Sequence, residues 1–268
     1  MHLADTFGTD APVVGMVHLP ALPGAPEFDG DRTAIRERAV ADARALDTGG
    51  ADGLIVENYG DTPFHPEDVP KSTVAEMTRV AGAVADAVDL PVGINVLRND
   101  AAAALSVAAA VDAAFVRVNV HTGARVTDQG VIEGRAHETL RLRDEIAADV
   151  SILADVAVKH SAPLAERPLA EAVDDTVDRG RADGLVVPGP ATRRETDASA
   201  LQTVVDARDG IDPAVPVFVG SGVTAETASE LLAVADGAIV GTALKRGEET
   251  MNPVDSERVA AVVDAVRS

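Results

Sequence analysis

The sequence contains no cysteine and no tryptophan, and its aromatic residues are limited to one tyrosine and five phenylalanines. The absence of cysteine excludes disulfide bonds, thiolate metal sites and cysteine nucleophiles. Basic residues are also scarce, since 23 Lys+Arg stand against 44 Asp+Glu and give a formal net charge of −21. This charge opposes binding to nucleic-acid phosphates or anionic membranes over broad surfaces. We therefore expect no nucleic-acid partner.

Long apolar runs are absent as well. No stretch approaches the ~18 to 20 apolar residues of a membrane span, and the N-terminus lacks the basic and then apolar segments of a signal peptide. We expect a cytoplasmic protein with no integral membrane segment. Lysine occurs only as Lys71, Lys159 and Lys245, among many Arg, Asp, Ala and Val. This composition indicates the salt adaptation of a halophilic archaeon, and an ordinary acidic protein is the alternative.

The sequence does contain a strand–helix pattern that repeats along its length. With 268 residues, 46% of them hydrophobic, the chain is large and apolar enough to bury a large core. The predicted strands are Val13–Leu19, Gly53–Asn58, Val92–Leu97, Phe115–Val120, Ile152–Val158, Gly184–Val187, Pro216–Gly220 and Gly237–Gly241. Amphipathic segments between them predict the helices Arg32–Asp47, Val74–Val88, Ala101–Val111, Ala136–Ala148, Ala170–Arg179, Ala198–Arg208 and Ala225–Ala233, and Ser256–Val266 closes the chain. Eight such units predict an α/β fold, a single-domain (β/α)8 TIM barrel over residues 1–268. A doubly wound open sheet is the competing fold, but the sequence has no GxGxxG motif at the start of its first predicted helix.

The tripeptide Ala-Asp-Gly opens the second, sixth and eighth predicted strands, with Asp52, Asp183 and Asp236 at its centre. Glycine suits the end of a helix-to-strand turn, where a residue without Cβ is needed. We interpret the repeat as an echo of the strand–helix unit that carries little chemistry.

Polar residues gather near the C-terminal ends of the first five predicted strands. In the fourth strand the valines alternate with Arg117 and Asn119, so these two polar side chains face the barrel interior, as Asn95 does in the third strand. The whole set is His18, Glu57, Asn58, Asn95, Arg117, Asn119, Asp155, Lys159 and His160. These strand ends meet at the mouth where barrel enzymes build active sites.

Carboxylates and a lysine at this mouth are suited to general acid/base chemistry. Glu57 or Asp155 is the candidate base, Lys159 the candidate electrophile or Schiff-base former, and His18 or His160 the candidate proton carrier. No metal or other cofactor is required by these residues. A divalent metal held by Glu57, Asp155 and either histidine is nevertheless an open alternative, because mixed nitrogen and oxygen ligands suit Zn, Mn or Mg.

Amides and a guanidinium complete the predicted pocket as substrate-binding groups. These residues are Asn58, Asn95, Arg117 and Asn119. The alternative interpretation is purely structural: ion pairs such as Glu57 with Arg117, or Asp155 with Lys159, would fill the barrel interior.

Two glycine-containing turns follow the seventh and eighth predicted strands, Gly220-Ser221-Gly222 and Gly241-Thr242. Barrels often bind phosphate through backbone N–H groups at these two turns and the adjoining helix N-terminus. The turns therefore predict a phosphate site that relies on amide dipoles, and tight turns that merely need glycine are the alternative.

The segments 20–26 and 121–134 are candidate lids over this mouth or plain connectors.

Several longer stretches resemble the BtpA/SgcQ family of photosystem I biogenesis protein BtpA-like TIM-barrel proteins. They are GMVHLPALPG from residue 15, GADGLIVENYGDTPF from 50, VGINVLRNDA from 92, FVRVNVHTGARVTDQGVIEGRA from 115, DVAVKHS from 155 and VGSGVT from 219. The resemblance covers about residues 12 to 245 and implies a TIM barrel related to phosphate-binding barrel enzymes. Thr227 departs from the family, which commonly has Asn there.

Together these features predict a barrel enzyme that acts on a small phosphorylated ligand, sugar- or nucleoside-derived, as an isomerase, a lyase or a glycosyl hydrolase or transferase. The main alternative is a non-catalytic assembly factor that uses the barrel as a scaffold. A third hypothesis is a peripheral membrane protein, but a net charge of −21 opposes binding to an anionic membrane surface. The sequence leaves open whether the chain forms a homo-oligomer.

Overall fold

Eight parallel strands close into a barrel in the part of the chain that the computed structural model describes, which is residues 1–146, 149–157, 161–188 and 196–268, without the side chains of 196–198. The barrel strands are β1 Val13–His18, β2 Gly53–Glu57, β3 Val92–Asn95, β4 Phe115–Val118, β7 Ser151–Asp155, β9 Gly184–Val187, β10 Val217–Val219 and β11 Gly237–Val240. They follow one another around the wall in chain order, and β11 pairs with β1. The predicted TIM barrel is confirmed.

All but the first of the helices lie where the amphipathic pattern predicts them. The helices are α1 Leu3–Phe7, α2 Arg32–Thr48, α3 Lys71–Ala85, α4 Ala101–Ala110, α5 Ala136–Glu145, α6 Leu169–Asp174, α7 Thr196–Asp209, α8 Ala228–Leu232 and α9 Ser256–Arg267. Asp31 caps α2 by accepting hydrogen bonds from the backbone N–H groups of Thr33 and Ala34, and such caps stabilise a helix by about 1 kcal/mol. None of the described helices is long and apolar enough to cross a lipid bilayer.

The Ala-Asp-Gly repeat has a structural task at the N-terminal end of the barrel. Each aspartate accepts a hydrogen bond from a backbone N–H in the first two residues of the preceding barrel strand: Asp52 from Val13 (2.9 Å), Asp183 from Ile152 (2.8 Å) and Asp236 from Val217 (2.8 Å). Each also pairs with an arginine of the helical layer, namely Arg267, Arg143 and Arg208. The repeat therefore ties neighbouring strands together, a role in addition to the turn glycine.

The N-terminal half of the barrel interior is a dry plug. Phe7 of α1 packs edge-to-face against Phe115 and Phe218, with ring centroids 5.7 and 6.2 Å apart. Gly93 and Gly237 make room for these rings, because a Cβ at either position would lie 2.2 or 2.6 Å from a ring carbon. We call this apolar cluster the plug; its buried members are Phe7, Val14, Met16, Ile55, Phe115, Leu153, Val186, Phe218 and Ile239.

Four elements differ from their sequence predictions. The segment 121–134, predicted as an irregular lid or connector, contains a hairpin of β5 Ala124–Thr127 and β6 Gly130–Glu133, to which β8 Ala162–Pro163 adds a third strand. The short α1 was not predicted, because five residues carry too little periodicity. The predicted helix Ala170–Arg179 ends its α-helical part at Asp174 and continues as a π-helical turn. The predicted helix Ala225–Ala233 is shorter in the structure, where α8 spans Ala228–Leu232.

Candidate active site

A cavity of about 840 Å³ opens at the C-terminal ends of the barrel strands, above the plug. It brings together most of the residues that the sequence singles out. The predicted residues that line it are His18, Glu57, Arg117, Asn119, Asp155, Gly220, Ser221, Gly222, Gly241 and Thr242. Strand register explains part of this grouping, since His18 pairs with Glu57, Glu57 with Asn95 and Asn95 with Arg117 across four adjacent strands.

Two predicted residues, Lys159 and His160, lie outside the described residues. Their proposed roles as electrophile, proton carrier and metal ligand therefore stay predictions.

Glu57 is the carboxylate at the end of β2, and it is 6% exposed. Burial raises its pKa to about 7, an effect that the nearby Arg117 opposes and Asp155 reinforces. His18 Nε2 lies 3.7 Å from Glu57 Oε1, a contact that becomes an ion pair only when the imidazole is protonated. A carboxyl group with a pKa near neutrality is able to take up and release a proton under ordinary conditions.

His18 stands beside Glu57 as a neutral imidazole. Burial, together with the positive charge of Lys245, lowers its pKa to about 3. Its Nδ1 is buried without a hydrogen-bond partner in the described part of the chain. At neutral pH His18 is therefore uncharged and offers one unsatisfied ring nitrogen.

Arg117 and Asp155 form a bidentate ion pair across the cavity floor. The Arg117 guanidinium donates from Nε and Nη2 to the two Asp155 carboxylate oxygens at 2.8 and 3.0 Å, and Asn119 Nδ2 donates to Oδ2 of the same carboxylate at 3.0 Å. The expected structural pair of Glu57 with Arg117 is thus replaced by Arg117 with Asp155. Asp155 has both oxygens engaged, whereas the Glu57 carboxylate accepts no hydrogen bond from the part of the chain that the structure describes.

Asn95 and Asn58 support the wall without lining the cavity. Asn95 Nδ2 donates to the Arg117 carbonyl at 2.9 Å and to Asn119 Oδ1 at 3.2 Å. The Asn58 amide is engaged with backbone and loop: its Oδ1 accepts from Leu97 N at 2.7 Å, and its Nδ2 donates to Asp61 Oδ2 at 3.0 Å. Both amides therefore hold neighbouring groups in position, and neither faces the space where a ligand would sit.

The turn after β10 is held in a fixed shape. Gly222 adopts φ +74°, a left-handed conformation that favours glycine. Thr227, the residue that departs from the family pattern, bridges the turn: its Oγ1 donates to the Gly222 carbonyl and accepts from Thr224 N, both at 2.9 Å. Ser221 Oγ is buried and has no hydrogen-bond partner among the described residues. Ser221 lines the cavity, and its buried hydroxyl would have to turn outward to contact a ligand there.

The two glycine turns and the acid/base residues adjoin each other. A Cβ added to Gly220 would lie 3.5 Å from Arg117 Nη2, and one added to Gly241 would lie 3.1 Å from His18 Cε1. Thr242, after Gly241, shares a hydrogen bond of 2.8 Å with Thr250. A ligand that contacts either turn would thus also reach Arg117 or His18.

The structure contains no grouping of three or more His, Asp or Glu side chains suited to a metal within its described residues. Of the metal ligands considered from the sequence, Glu57 and Asp155 line the cavity together. Asp155 is committed to Arg117 and Asn119, and His160 falls outside the described residues.

Sequence reasoning missed several residues at this site. Tyr59 and Phe64 line the cavity, as does Arg98. Lys245 lies behind β1, where it is fully buried, donates from Nζ to the Met16 carbonyl at 2.9 Å and lies 3.5 Å from Asp42. Burial lowers the Lys245 pKa to about 8. Lys245 is one of only three lysines in the sequence, and that scarcity is the signal that could have singled it out.

The closed (β/α)8 barrel makes this chain a TIM-barrel protein, with ionisable residues and glycine turns around one mouth. Sequence comparison defines its family. Residues 9–268 match the BtpA family. The chain is 46% identical over 266 residues to the photosystem I biogenesis protein BtpA of Synechocystis sp., covering 99% of this chain and 91% of the relative. It is 32% identical to the putative sgc region protein SgcQ of Escherichia coli, covering 98% and 97%. The chain belongs to the BtpA family, as the resemblance predicted.

Solved structures support the fold at lower identity. Tryptophan synthase from M. tuberculosis superposes with a TM-score of 0.63 at 19% identity, covering 99% of this chain and 98% of that chain. Orotidine 5'-phosphate decarboxylase from Pyrococcus horikoshii superposes with a TM-score of 0.57 at 16% identity, covering 95% and 99%. At these identities the comparison supports the barrel architecture and nothing finer.

Proposed function

We propose that the protein is a barrel enzyme that acts by acid/base chemistry on a small phosphorylated, sugar- or nucleoside-derived substrate. One observation carries the proposal: Glu57, with a pKa of about 7, and two glycine turns suited to an anion line the same cavity. Orotidine 5'-phosphate decarboxylase, a structural neighbour, is named for a phosphorylated ligand, which accords with the proposal by analogy of fold alone.

Glu57 is the general acid/base in this proposal. Protonation of Asp155 would remove the charge that pairs with Arg117, so the geometry favours Glu57. Asp155 then orients Arg117, whose guanidinium, beside the Gly220 turn, would stabilise negative charge on the substrate. His18 lies 3.7 Å from Glu57 and would relay the proton by accepting it at one ring nitrogen while donating from the other, because its pKa of about 3 disfavours a charged imidazolium.

Phosphate binds in this proposal at the two turns. The backbone N–H groups of Ser221, Gly222, Gly241 and Thr242 would supply donors, and Ser221 Oγ would gain the partner that it lacks in the described residues. The Gly220 N–H is already engaged, since it donates to the Val187 carbonyl at 2.7 Å, so Gly220 would contribute close backbone approach rather than a donor. These contacts work through dipoles at short range, so a net charge of −21 does not abolish them.

Binding is tested by thermal-shift and calorimetric titration in high salt with ribose 5-phosphate, glucose 6-phosphate and inorganic phosphate, each organic probe paired with its unphosphorylated sugar. A ligand that binds the folded form raises the melting temperature. We expect at least one phosphorylated probe to do so and its sugar not to. Equal shifts from the sugar and its phosphate, or no shift from any probe, would contradict the proposed phosphate site.

Lys159 is proposed as the electrophile or Schiff-base former. If it forms an imine with a carbonyl substrate, borohydride reduction traps a covalent adduct whose mass is increased by the carbonyl compound less water plus two hydrogens. The control is Lys71→Met, at the exposed start of α3, which should retain the adduct, whereas Lys159→Met should lose it. Failure to trap any member of a panel of phosphorylated aldehydes and ketones would eliminate the imine route and leave Glu57 chemistry.

The location and domain organisation belong to the same proposal. We place the protein in the cytoplasm and treat residues 1–268 as one domain. Cooperative unfolding in a single transition, measured by circular dichroism in high salt, is the expected result, and two separated transitions would contradict the single domain.

The second candidate function is a non-catalytic assembly factor, favoured by the 46% identity to the photosystem I biogenesis protein BtpA. It predicts that Glu57→Gln leaves the phenotype of the native organism intact. The enzyme proposal predicts that this isosteric substitution fails to complement a gene deletion, although the variant folds.

A further inference from the structure

The protein has few aromatic residues, and two of them line the cavity. Of one tyrosine and five phenylalanines, Phe7, Phe115 and Phe218 belong to the plug. Tyr59 and Phe64 instead contribute to the wall of the open cavity. Tyr59 is 38% exposed, among the few large apolar side chains of the described chain left so accessible. Three of the six rings are thus buried in the plug, Phe28 is half-buried away from the cavity, and two rings line the cavity that contains Glu57.

Tyr59 lies next to His18 of the acid/base pair. It follows β2 in a 3-10 turn, Tyr59–Asp61, two residues after Glu57, and its ring centroid lies 5.0 Å from that of His18. The turn is anchored from below, because Asp61 accepts hydrogen bonds from Leu22 N at 2.7 Å and from Asn58 Nδ2 at 3.0 Å. The ring is thus carried on a fixed backbone, although its outer face is open.

The order of strands separates the ring from the phosphate-type turns. Around the wall, β11 is followed by β1 and then β2, so the turn after β11 and the ring after β2 are two strands apart, about 10 Å along the wall at the usual strand spacing. His18 on β1 and Glu57 on β2 lie within this interval. A phosphate at the turns would therefore place an attached sugar near Glu57 and a group beyond the sugar near Tyr59.

Resting on the proposed phosphate site, we infer that the substrate is a nucleoside phosphate-like compound, whose planar aromatic ring stacks on Tyr59 and Phe64 while its sugar lies over Glu57. The cavity of about 840 Å³ lies in the upper part of the ~300 to 1,000 Å³ range of small-molecule sites, and a pentose phosphate alone would leave much of it to water. Stacking a base on an aromatic side chain strengthens binding whatever the base.

The test uses the single tyrosine as a reporter. Because the chain has one tyrosine and no tryptophan, its intrinsic fluorescence reports on Tyr59 alone. The probes are adenosine 5'-monophosphate, uridine 5'-monophosphate, adenosine, ribose 5-phosphate and glucose 6-phosphate, with free N-acetyltyrosinamide as the control for light absorption by the bases. We expect both nucleotides to quench Tyr59 and to bind at least tenfold more tightly than ribose 5-phosphate, which should not quench.

Variants separate the ring from the phosphate. Tyr59→Leu should weaken nucleotide binding, measured by calorimetry, about tenfold, the lower part of the range for one stacked base, and leave ribose 5-phosphate unchanged. Tyr59→Phe, which keeps the ring, should retain nucleotide affinity, and Phe28→Leu, away from the cavity, should change nothing. Circular dichroism checks that each variant is folded.

Each alternative outcome is distinct. Equal affinities for ribose 5-phosphate and the nucleotides, or nucleotide binding that Tyr59→Leu leaves unchanged, would overturn the stacking inference while the phosphate site stands. Preferential, Tyr59-dependent binding of glucose 6-phosphate would replace the aromatic ring with a sugar ring and overturn it too. If adenosine binds as tightly as adenosine 5'-monophosphate, and this binding depends on Tyr59, the stacking inference is supported and the phosphate site is contradicted. No binding by any probe would overturn both.

Discussion

The two halves of the barrel interior are built from the same eight strands but have opposite character. Toward the N-terminal end, the inward positions carry the plug, in which Phe115 and Phe218 are fully buried against Phe7. Toward the C-terminal end, the next inward positions carry groups such as Glu57 and Arg117 around an open cavity. Two residues along β4, from Phe115 to Arg117, span the change from one half to the other.

The N-terminal half of the barrel interior contributes stability, and the C-terminal half carries the groups suited to chemistry. Burying an aromatic ring in the plug removes apolar surface from water at no cost in unpaired polarity. The cavity, by contrast, keeps a buried carboxyl with a raised pKa, an unpartnered His18 Nδ1 and an unpartnered Ser221 Oγ among the described residues, all of which cost stability. The plug stabilises the barrel on which these costly groups are held.

The largest expected effect comes from breaking the plug. Phe115→Ala removes a fully buried ring that fills the space left by Gly93 and should lower the free energy of unfolding by about 3–5 kcal/mol. Urea unfolding in high salt measures it. The matched control is Phe64→Ala at the half-buried cavity wall, which should cost far less; equal losses would mean that the two halves do not differ as described.

A smaller effect is expected from the ion pair on the cavity floor. Asp155→Asn leaves the Arg117 guanidinium without its counterion in a largely buried position, and we expect a loss of roughly 2–3 kcal/mol in urea unfolding, below the full cost of a completely buried pair. Glu171→Gln, which breaks the exposed pair with Arg167, is the control and should change stability by less than about 1 kcal/mol. Similar losses for both variants would argue against burial as the cause.

Glu57→Gln should stabilise the protein above neutral pH. Because burial raises the folded-state pKa from 4.5 to about 7, the folded protein binds this proton more tightly than the unfolded chain, and stability falls as pH rises from 4.5 through 7. Removing the charge should recover up to about 3 kcal/mol at pH 8 and almost nothing at pH 4.5. Glu76→Gln is the control, since Glu76 is equally buried but paired with Arg79.

Melting curves at pH 4.5, 6 and 8 test this prediction. Glu76→Gln should show no gain that grows with pH. A Glu57→Gln variant that is less stable than the wild type at pH 8 would mean that this carboxylate is well solvated or paired in the folded protein.

The smallest effect on stability is expected at Ser221. Ser221→Ala removes a buried hydroxyl that has no partner in the described residues, so the free energy of unfolding should change by less than about 1 kcal/mol. Affinity for inorganic phosphate, measured by calorimetry, should nevertheless fall about tenfold, the value of one hydrogen bond to a charged group. Unchanged affinity would remove Ser221 from the proposed site.

The sequence predicts the plug and the cavity to different degrees. Strand periodicity is enough to place Arg117 and Asn119 inside the barrel, because side-chain alternation follows from the pleat. It cannot tell which carboxylate pairs with Arg117, since that depends on register and on rotamers across β4 and β7. It also gives Asn58 a ligand-facing role, although the amide is used to hold Leu97 and Asp61.

Long-range partners account for the other omissions. Lys245 is buried because Met16 and Asp42, more than 200 positions away along the chain, accept and balance its ammonium group. No local pattern carries that information. The hairpin after β4 was hidden for a different reason: Val126 and Val131 are exposed, so its strands lack the alternation of buried and solvated positions from which strands are predicted.

The central claim is that a desolvated Glu57 shares one cavity with an anion site. The most direct measurement is an NMR titration of the Glu57 side-chain carboxyl carbon, assigned with Glu57→Gln, in the presence and absence of inorganic phosphate at matched ionic strength. We expect a pKa of about 7 without phosphate and a higher pKa with it, because a nearby anion disfavours the carboxylate. A pKa near the ordinary 4.5, unmoved by phosphate, would contradict the claim.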